Sequence, residues 1–540
     1  MYQYLVMYDV RGIQNYIFRT PKVKDAIGAD DLVKNIIQKA LQYAVEELKL
    51  SAFLECKPKS LSFSDKAEEA VQVLDIGGGN ASVLIGSKES MKEAKERTLA
   101  VNKQMAKYVM DNTYSLHLAT AFVKKTDNYA EDYNKLFEEM NKVKENMNMS
   151  APFGALPIMK TELKTGYPAS AEYGGELVSA ETKMKKEAGE KAQDKAAIEH
   201  DNRVFDYLVE EKGVNSTLAV VHIDGNNMGM RIRDLIQDAE TYEKAVPRMR
   251  AITFAIRQAF IGAFSEMNEK YNALAKESEG EKNKYFIRKI PVAGDELTYV
   301  CTGKIALDTI EFFARKVTEK TLVDFFEDSD LQNEKDKYIF SICAGAALMG
   351  SHFPFDVAYD VAEACCESAK ERAKMKENLD LEDGQVGNWV DFAFCDSVYA
   401  RDLKAMRERE YITPTGEHLL TRPYRIKVND TVTVEKKEFE LDTLKSYIEY
   451  FLGTDEEGKD NFPRSLAKDL RNTYPVGWME MEALKSFMDS RQHILPDGND
   501  LYFDNKGHRI ARYYDALEMM DYYENLSSDF QNKEDGEEVS

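Results

Sequence analysis

Cysteine is scarce in this sequence. Six cysteines occur among 540 residues, none of them forms a CxxC pair, and most lie within apolar runs. Such cysteines are typical of reduced thiols in a protein core, and they argue against a disulfide framework or a cysteine zinc site. We therefore expect a cytoplasmic protein that binds no zinc.

Long hydrophobic runs are also missing. No apolar stretch approaches the roughly 20 residues that cross a bilayer as a helix. The first residues, MYQYLVMYDVRGIQ, lack the basic flank and the cleavage site of a signal peptide and instead predict a buried strand. We expect no membrane partner, and a chain of 540 residues predicts two to four domains.

Basic charge is in deficit. The chain has 72 Lys and Arg against 95 Asp and Glu, a formal net charge of -23. This balance excludes a protein that coats nucleic acid by bulk electrostatics, although a local basic groove is compatible with it. An anion such as ATP would need help at its site, most simply from a divalent cation.

One pattern of elements occurs twice. An apolar strand ends at Asp9 in the first copy and at Asp224 in the second, and each is followed by helices, a strand pair around a glycine turn, a helix and a strand. The offset along the chain from Asp9 to Asp224 equals the offset from Gly79 to Gly294. This order predicts an α+β fold with two ferredoxin-like (βαββαβ) domains.

The sequence divides into four predicted parts. Residues 1–125 hold a degenerate first copy, residues 126–214 a charged insertion or linker, residues 215–400 the second copy, and residues 401–540 an all-α C-terminal domain with an acidic tail. Within the insertion, the stretch SAETKMKKEAGEKAQDKAAIEHDNR has a helix-forming composition but little apolar face. It predicts a solvated helix or a mobile segment.

Two carboxylates of the second copy predict a metal site. Asp224 ends the first strand and Asp295 lies in the hairpin turn, so in a ferredoxin-like sheet they should face each other across adjacent strands, roughly 5 Å apart. Two carboxylates at that distance repel each other, and a divalent cation that prefers oxygen ligands would offset the repulsion. We expect Mg²⁺ or Mn²⁺ here, with Glu296 as a further carboxylate and the Ile223 carbonyl as an extra oxygen.

The residues around this pair suit a triphosphate. The segment DGNNMG (224–229) leads a strand into a helix N-terminus, where free N–H groups attract phosphate and glycines let the backbone approach. Two lysines on the helix after the fourth strand could offset phosphate charge. The predicted nucleotide-binding residues are Gly225, Asn226, Asn227, Gly229, Gly294, Lys370 and Lys374, with Gly78, Gly79 and Asn80 of the first copy.

Each of these signals has a commoner explanation when it stands alone. A DGxN turn is more often a helix cap, AGDE is an ordinary hairpin turn, and lysines on a helix are usually solvated. His222, inside an apolar strand, is favoured as a core histidine over a catalytic base. The acidic pair rises above background only because the signals occur together.

The first copy provides an internal contrast. It keeps Asp9 but has Asn80 at the position that the shared offset pairs with Asp295. An amide cannot replace the charge of a carboxylate, so we expect metal affinity to be lost there. The first copy would then be a binding partner rather than a catalyst.

Seven motifs along the chain occur together: YDVRGIQNYIF (8–18), DIGGGN (75–80), HIDGNNMG (222–229), AGDEL (293–297), SICAGAAL (341–348), AEACCESAK (362–370) and LLTRPYRI (419–426). With them the sequence resembles the polymerase/cyclase-like large subunit of type III CRISPR effector complexes. The resemblance implies two palm domains face to face, with ATP between them and with metal-assisted nucleotidyl transfer that makes cyclic oligoadenylates for antiviral defence. By position, Asp224, Asp295 and Glu296 would be the metal ligands and catalytic residues.

The sequence also departs from that family. Its turn reads AGDE, where two glycines and two aspartates are usual, and it resembles the GGDEF turn of diguanylate cyclases. The first palm begins at Tyr2 and no cysteine lies between Cys56 and Cys301, so we expect neither a nuclease domain nor zinc. Two alternatives stay open: a scaffold subunit that binds guide or target RNA and other subunits, and an ATP sensor without turnover.

Overall fold

Two mainly antiparallel sheets, each packed with helices, form most of the described chain. Within the described residues, no helix is long and apolar enough to cross a bilayer. The predicted site residue Gly78 and the acidic tail from residue 527 onward lie outside them. The computed structural model describes residues 1–19, 23–54, 63–66, 68–77, 79–147, 156–198, 217–277, 287–326, 329–375, 386–428, 436–454, 460–498, 500–524 and 526.

The first palm is a five-stranded sheet with helices. Its strands are β1 (Tyr2–Arg11), β2 (Ala52–Phe53), β3 (Val71–Gly77), β4 (Asn80–Ser87) and β5 (His117–Lys124), and its helices are α1 (Ile13–Phe18), α2 (Val23–Val33), α3 (Ile36–Glu47) and α4 (Met91–Thr113). The strand order is β2-β3-β4-β1-β5. Residues of β1 alternate between two cores, with Val6 packed on the α3 and α4 side and Leu5 on the other.

The second palm is a six-stranded sheet. Its strands are β8 (Thr217–Gly225), β9 (Ile287–Ala293), β10 (Glu296–Thr302), β11 (Ile342–Gly350), β12 (Asn388–Cys395) and β13 (Tyr424–Ile426). Its helices are α7 (Met228–Gln237), α8 (Tyr242–Glu277), α9 (Ala306–Thr318), the short α10 (Ser329–Asn333) and α11 (Phe355–Ala373). The strand order is β13-β12-β11-β8-β10-β9, so β8 is a fully paired central strand.

The two palms repeat one topology. In the first palm, β1 lies between β4 and β5, with β3 outside β4. In the second palm, β8 lies in the same way between β10 and β11, with β9 outside β10. The helix after the first strand also begins alike, after a left-handed residue: Gly12, with a φ of 81°, and Asn227, with a φ of 55°. The predicted pair of ferredoxin-like units is confirmed.

The palms pack against each other with approximate two-fold symmetry. Helix α2 contacts β9, and helix α8 makes the reciprocal contact with β3. Phe18 of α1 stacks on Tyr359 of α11, with ring centroids 3.6 Å apart. Across the second contact, Thr253 donates a hydrogen bond to Asp75 at 2.8 Å. The first palm therefore covers part of the second sheet, close to the end of β8.

The insertion between the palms is more ordered than its composition suggests. It holds α5 (Tyr129–Asn146), a hairpin of β6 (Ala171–Tyr173) and β7 (Glu176–Val178), and α6 (Ala180–Ile198). The prediction of a solvated or mobile helix is wrong for the described part of α6, because this helix packs closely on α2. A Cβ on Gly28 would come within 1.9 Å of the Lys185 carbonyl oxygen.

Charged side chains of α6 are buried in that contact. Lys185 is 2% exposed, forms an ion pair with Glu181 at 2.6 Å, and donates a hydrogen bond to the Tyr16 carbonyl at 2.5 Å. Arg19 adds a second ion pair to Glu181 at 3.1 Å. A helix without an apolar stripe can be buried when each charge finds a partner, and such pairing is invisible in hydrophobic periodicity.

The C-terminal region is mostly helical, as predicted, and it also contains a hairpin. Arg422 is 5% exposed and forms ion pairs with Asp515 at 3.6 Å and Glu518 at 2.8 Å, so this region is joined to the second palm through β13. Its helices are α12 (Leu403–Glu410), α13 (Leu441–Leu452), α14 (Arg464–Thr473), α15 (Trp478–Ser490) and α16 (Tyr514–Met519), and its hairpin joins β14 (Tyr502–Asn505) to β15 (His508–Ala511).

The described cysteines are free and buried, as expected for reduced core thiols. They occupy the second palm, on β10, β11, β12 and α11. Burial raises the pKa of Cys301 to about 12, so its thiol stays protonated at neutral pH. These cysteines are Cys301, Cys343, Cys365, Cys366 and Cys395.

Candidate functional site

The acidic residues of the second palm meet where β8 ends and β10 begins. Asp224, near the end of β8, is the partner of Glu296 on β10 and of Cys343 on β11. Asp295 lies in the two-residue turn between β9 and β10, where its carbonyl accepts a hydrogen bond from the Gly225 amide at 3.1 Å. The sequence pattern predicts that Asp224 opposes Asp295, whereas the strand register opposes it to Glu296 and places Asp295 one residue earlier, in the turn.

Glycine at position 225 lets this turn approach β8 closely. A Cβ there would lie 3.0 Å from the Cβ of Asp295 and 3.1 Å from its Oδ2. Gly294, which precedes the aspartate, has a φ of 67°, a left-handed conformation that glycine adopts without strain. The two predicted glycines thus bring the Asp295 side chain against the end of β8.

The pKa values of Asp295 and Glu296 are both raised, because buried negative charges lie close together. Burial and then the charge of Asp224 raise the pKa of Asp295 to about 7. The same two causes raise the pKa of Glu296 above its ordinary value. Carboxyl groups whose pKa is shifted by burial together with a specific charged neighbour are typical of functional sites.

Lys370 supplies positive charge at this point. It lies in the last turn of α11, and its Nζ forms an ion pair with Asp224 and a second with Glu367 at 2.8 Å. Burial opposes its charge, but the ion pair with Asp224 raises the pKa of Lys370 above the ordinary value. Lys374, one turn further along, has an exposed side chain. Both predicted lysines therefore belong to one helix, and Lys370 is in contact with the acidic residues.

The segment that follows Asp224 has a buried part and an open part. Asn226 is 4% exposed, and its side-chain amide donates to the Gly387 carbonyl at 3.1 Å. Asn227 precedes α7 without a capping hydrogen bond from its side chain, and Gly229 is exposed with no atom within 4 Å of a would-be Cβ. Gly229 at the start of α7 is thus open, as an anion site would require, whereas Asn226 anchors the loop from inside.

Two residues of β8 lie beside the acidic cluster. Ile223 is fully buried and is paired with Leu297 and Ala344, so only its backbone could serve a ligand. His222 is 4% exposed, with Nδ1 3.0 Å from the Thr298 hydroxyl, and burial followed by the Lys370 charge lowers its pKa to about 4. A neutral histidine with a hydroxyl partner agrees with its interpretation as a core residue.

Strand register shows what stands at the equivalent positions of the first palm. Asp9 is the partner of Asn80, just as Asp224 is the partner of Glu296 in the second palm. The offset between Asp9 and Asp224, applied to the hairpin, instead aligns Asn80 with Asp295. That alignment is wrong by one residue, because the second palm has one more residue than the first between its opening strand and its hairpin turn.

The backbone of the turn gives the same alignment. The Val10 amide donates to the Gly79 carbonyl at 3.0 Å, in the way that the Gly225 amide donates to Asp295. Gly79, with a φ of 92°, therefore stands where the second palm has its turn aspartate. The first palm thus has Gly79 and Asn80 where the second has Asp295 and Glu296, and the loss of its metal affinity stays a prediction.

The second palm has the donor chemistry of a divalent-cation site. Oxygen ligands and surplus negative charge are what Mg²⁺ and Mn²⁺ require, and Asp224 and Asp295 supply both. Within the described ranges, no three His, Cys, Asp or Glu side chains converge as metal ligands would. Lys370 pairs with Oδ2 of Asp224, so a cation bound through that oxygen would compete with the lysine.

Sequence reasoning missed the residue that joins the first palm to this cluster. Gln14 of α1 donates through Nε2 to the Glu296 carboxylate and accepts through Oε1 from the Tyr359 hydroxyl at 3.0 Å. A cavity of about 20 Å³, room for about one water molecule, is lined by Gln14 and Glu296 among others. The only signal was the GIQ sequence directly after the first strand, which carries no chemical indication of a long-range partner.

Comparison with known proteins reveals a likeness of fold. No protein-family model matches the sequence, and no curated protein is detectably similar to it. A chain of the Csm1–Csm4 cassette in complex with pppApApA matches with a TM-score of 0.54 and 12% identity, covering 96% of this chain and 69% of that one. The cassette in complex with cA4 gives a TM-score of 0.53 and 13% identity over the same shares.

This chain has the fold of a Csm1–Csm4 cassette subunit. At 12% to 13% identity the likeness establishes the architecture alone, and it confirms the fold that the resemblance to the type III CRISPR large subunit implied. The match covers 96% of the chain, so both palms and the helical C-terminal region take part.

Proposed function

We propose that this chain is a metal-dependent nucleotidyltransferase that makes a cyclic oligoadenylate from ATP, as a subunit of a type III CRISPR-type defence complex. One observation carries the proposal: the second palm gathers Asp224, Asp295 and Glu296 at one end of its sheet, beside a helix N-terminus and Lys370. The cassettes that share its fold were crystallised with pppApApA and with cA4, which supports an adenylate ligand.

The reaction requires positioning and charge compensation more than covalent catalysis. A ribose hydroxyl of one nucleotide attacks the α-phosphate of another, a new P–O bond forms, and pyrophosphate leaves. A divalent cation held by Asp224 and Asp295 would lower the pKa of the attacking hydroxyl and offset charge on the phosphates. Lys370, released from Asp224, would bind a phosphate oxygen, and Lys374, just after the end of α11, would add positive charge.

The partners follow from the same likeness. The Csm1–Csm4 cassettes contain two named subunits, which supports a second protein subunit for this chain. Guide or target RNA stays a prediction. The net charge of -23 limits any RNA contact to local surfaces. A reducing, cytoplasmic setting agrees with the free, buried cysteines.

Pyrophosphate release tests the proposal. The purified protein would be incubated with labelled ATP and Mn²⁺, with and without candidate target RNA, and Asp295→Asn is expected to lower the rate about a hundredfold. Asp234 is exposed on α7 of the same palm, and Asp234→Asn should leave the rate unchanged. Absence of pyrophosphate release by the wild-type protein under all conditions would refute nucleotidyl transfer.

A second candidate function is an ATP sensor without turnover. It is favoured by the ion pair that Lys370 makes with Asp224 and by the lack of three converging metal ligands among the described residues. Equilibrium dialysis with labelled ATP separates the alternatives. Metal-dependent binding without pyrophosphate release would support the sensor, and no binding at all would leave the RNA- and protein-binding scaffold.

A further inference from the structure

Helix α1 of the first palm reaches the acidic turn of the second. Gln14 donates a hydrogen bond through Nε2 to Oε2 of Glu296, and its Oε1 accepts one from the Tyr359 hydroxyl at 3.0 Å. A carboxylate accepts only and a tyrosine hydroxyl can donate, so the two partners define which way the amide points. Both ends of the Gln14 side chain are therefore engaged by the second palm.

The surroundings hold this contact in place. Phe18, on the same helix, stacks on Tyr359 with an interplanar angle of 12°, and Ile17 is 1% exposed. The adjoining cavity of about 20 Å³ leaves room for about one water molecule. Because the carboxylate is charged, its hydrogen bond with Gln14 is stronger than one between two neutral groups.

The contact has no counterpart in the opposite direction. The left-handed residues before α1 and α7, Gly12 and Asn227, are separated by the same offset as Asp9 and Asp224, so Gln14 corresponds to Gly229. Gly229 has no side chain with which α7 could reach the first palm's turn. The first palm thus contributes a side chain to the second palm's acidic turn and receives none in return at this position.

We propose that Gln14 is a positioning residue for the acidic turn: by holding Glu296 it sets the place of the adjacent Asp295 relative to Asp224. Under this inference, which rests on the proposed function, Glu296 acts through its position rather than as a cation ligand. The second palm alone would then be an incomplete active site, and the first palm would take part in the chemistry without carrying a carboxylate of its own.

Steady-state kinetics of pyrophosphate release test the first half of the proposal. Gln14→Leu is expected to lower kcat about tenfold while KM for ATP stays within about twofold, because a misplaced turn weakens the reaction more than substrate binding. The matched control is Asn15→Leu, the same change at the exposed neighbour on α1. An unchanged kcat in Gln14→Leu, with the fold intact by thermal unfolding, would overturn the proposal.

Removing the charge of Glu296 without removing its hydrogen bond tests the second half. Glu296→Gln does this, because its Oε1 can still accept from Gln14 Nε2. If Glu296 acts through position, Glu296→Gln keeps kcat within about twofold of the wild-type value, whereas Glu296→Leu loses about tenfold. A loss of about tenfold in Glu296→Gln would show that Glu296 serves by its own charge, and the positioning role would be wrong.

Mn²⁺ titration followed by electron paramagnetic resonance provides a readout that does not depend on turnover. Gln14→Leu should weaken Mn²⁺ binding severalfold, Asn15→Leu should not, and Asp224→Ala should abolish it. If the wild-type protein does not turn over ATP but these differences in Mn²⁺ binding are found, the proposed function is refuted and the inference about Gln14 stands. If the wild-type protein turns over ATP and Gln14→Leu changes neither kcat nor Mn²⁺ binding, the proposed function stands and the inference is refuted.

Discussion

The two palms share a topology, and they also neutralise the end of their first strand in the same way. Asp9 forms an ion pair at 2.7 Å with Lys144 on α5, the helix that follows β5. Asp224 forms one with Lys370, on the corresponding helix of the second palm. What separates the palms is therefore the hairpin turn beside that aspartate and not the aspartate itself.

The turn and the neighbouring strand residue differ as a pair. In the first palm, Gly79 has no side chain and the strand residue bonded to it is Val10. In the second palm, Asp295 has a side chain and the bonded residue is Gly225, which has none. A Cβ on Gly225 would lie 3.0 Å from the Cβ of Asp295, so a side chain in the turn favours glycine in the strand. One coupled pair thus distinguishes a palm that concentrates negative charge from one that does not.

The largest expected difference between the palms is in catalysis. Asp224→Asn should lower ATP-dependent pyrophosphate release about a hundredfold, because it removes half of the charge that would hold a cation. Asp9→Asn should change the rate by no more than about twofold, since its turn has no carboxylate to act with. Equal losses in the two variants, measured under one set of conditions, would break the comparison.

The coupled pair predicts a rescue of stability. Gly225→Val places a branched side chain against Asp295 and should lower the free energy of unfolding by about 1–3 kcal/mol. Adding Asp295→Gly recreates the Val10 and Gly79 arrangement of the first palm and should recover most of that loss. Urea denaturation of the two variants measures it; an equal loss in the double variant would show that other contacts exclude the valine.

The acidic turn should also make stability depend on pH. The pKa of Asp295 is raised to about 7 in the folded protein, so between its ordinary pKa near 3.8 and about 7 the folded state binds more protons than the unfolded state. The free energy of unfolding then falls as pH rises through this window, and stability from this group is complete only below it. Asp295→Asn should remove that fall.

The size of this effect can be measured by urea denaturation in a chelator at pH 5 and pH 8. Asp295→Asn should gain about 2 kcal/mol in stability relative to the wild-type protein on going from the lower to the higher pH. Excess Mn²⁺ should shrink the difference by offsetting the same charge. A difference that does not vary with pH would mean that the carboxyl is not strained by its neighbours.

The smallest expected effect concerns the lysine of the first palm. The side chains of Lys144 and Asp9 are 30% and 20% exposed, so Lys144→Met should cost about 0.5 kcal/mol in unfolding free energy, and less at high salt. Lys370→Met should cost more, because it leaves Asp224 and Asp295 without their nearest cation. Similar costs for the two lysines would show that the extra carboxylates of the second palm bring no electrostatic strain.

Local sequence patterns were sufficient for much of the fold and for part of the site. Apolar strands that end in aspartate, and glycines at the turns, predicted both ferredoxin-like units and the neighbourhood of Asp224 and Asp295. Strand order follows from the repeated pattern because few connections are compatible with it. Gly225 and Gly294 were recognised because close approach and a left-handed φ leave little choice of residue.

Other features depended on contacts that no local pattern encodes. The one-residue slip between the two hairpins is set by strand pairing, because Asp9 is the partner of Asn80 on β4 and Asp224 is the partner of Glu296 on β10. The burial of Lys185 depends on a partner four residues away on α6 and on a helix far away in the chain. The contact between Gln14 and Glu296 joins residues 282 positions apart.

The amino-acid sequence by itself determined the elements of this protein, because hydrophobic period, glycine and the ends of strands are properties of neighbouring residues. It also determined that the second palm alone carries a turn with two carboxylates. The tertiary structure decided which of these carboxylates lies opposite Asp224, which lysine offsets it, and which residue of the first palm holds the turn. Those choices depend on strand register and on the packing of one palm against the other, and both are set by interactions between residues far apart in the chain.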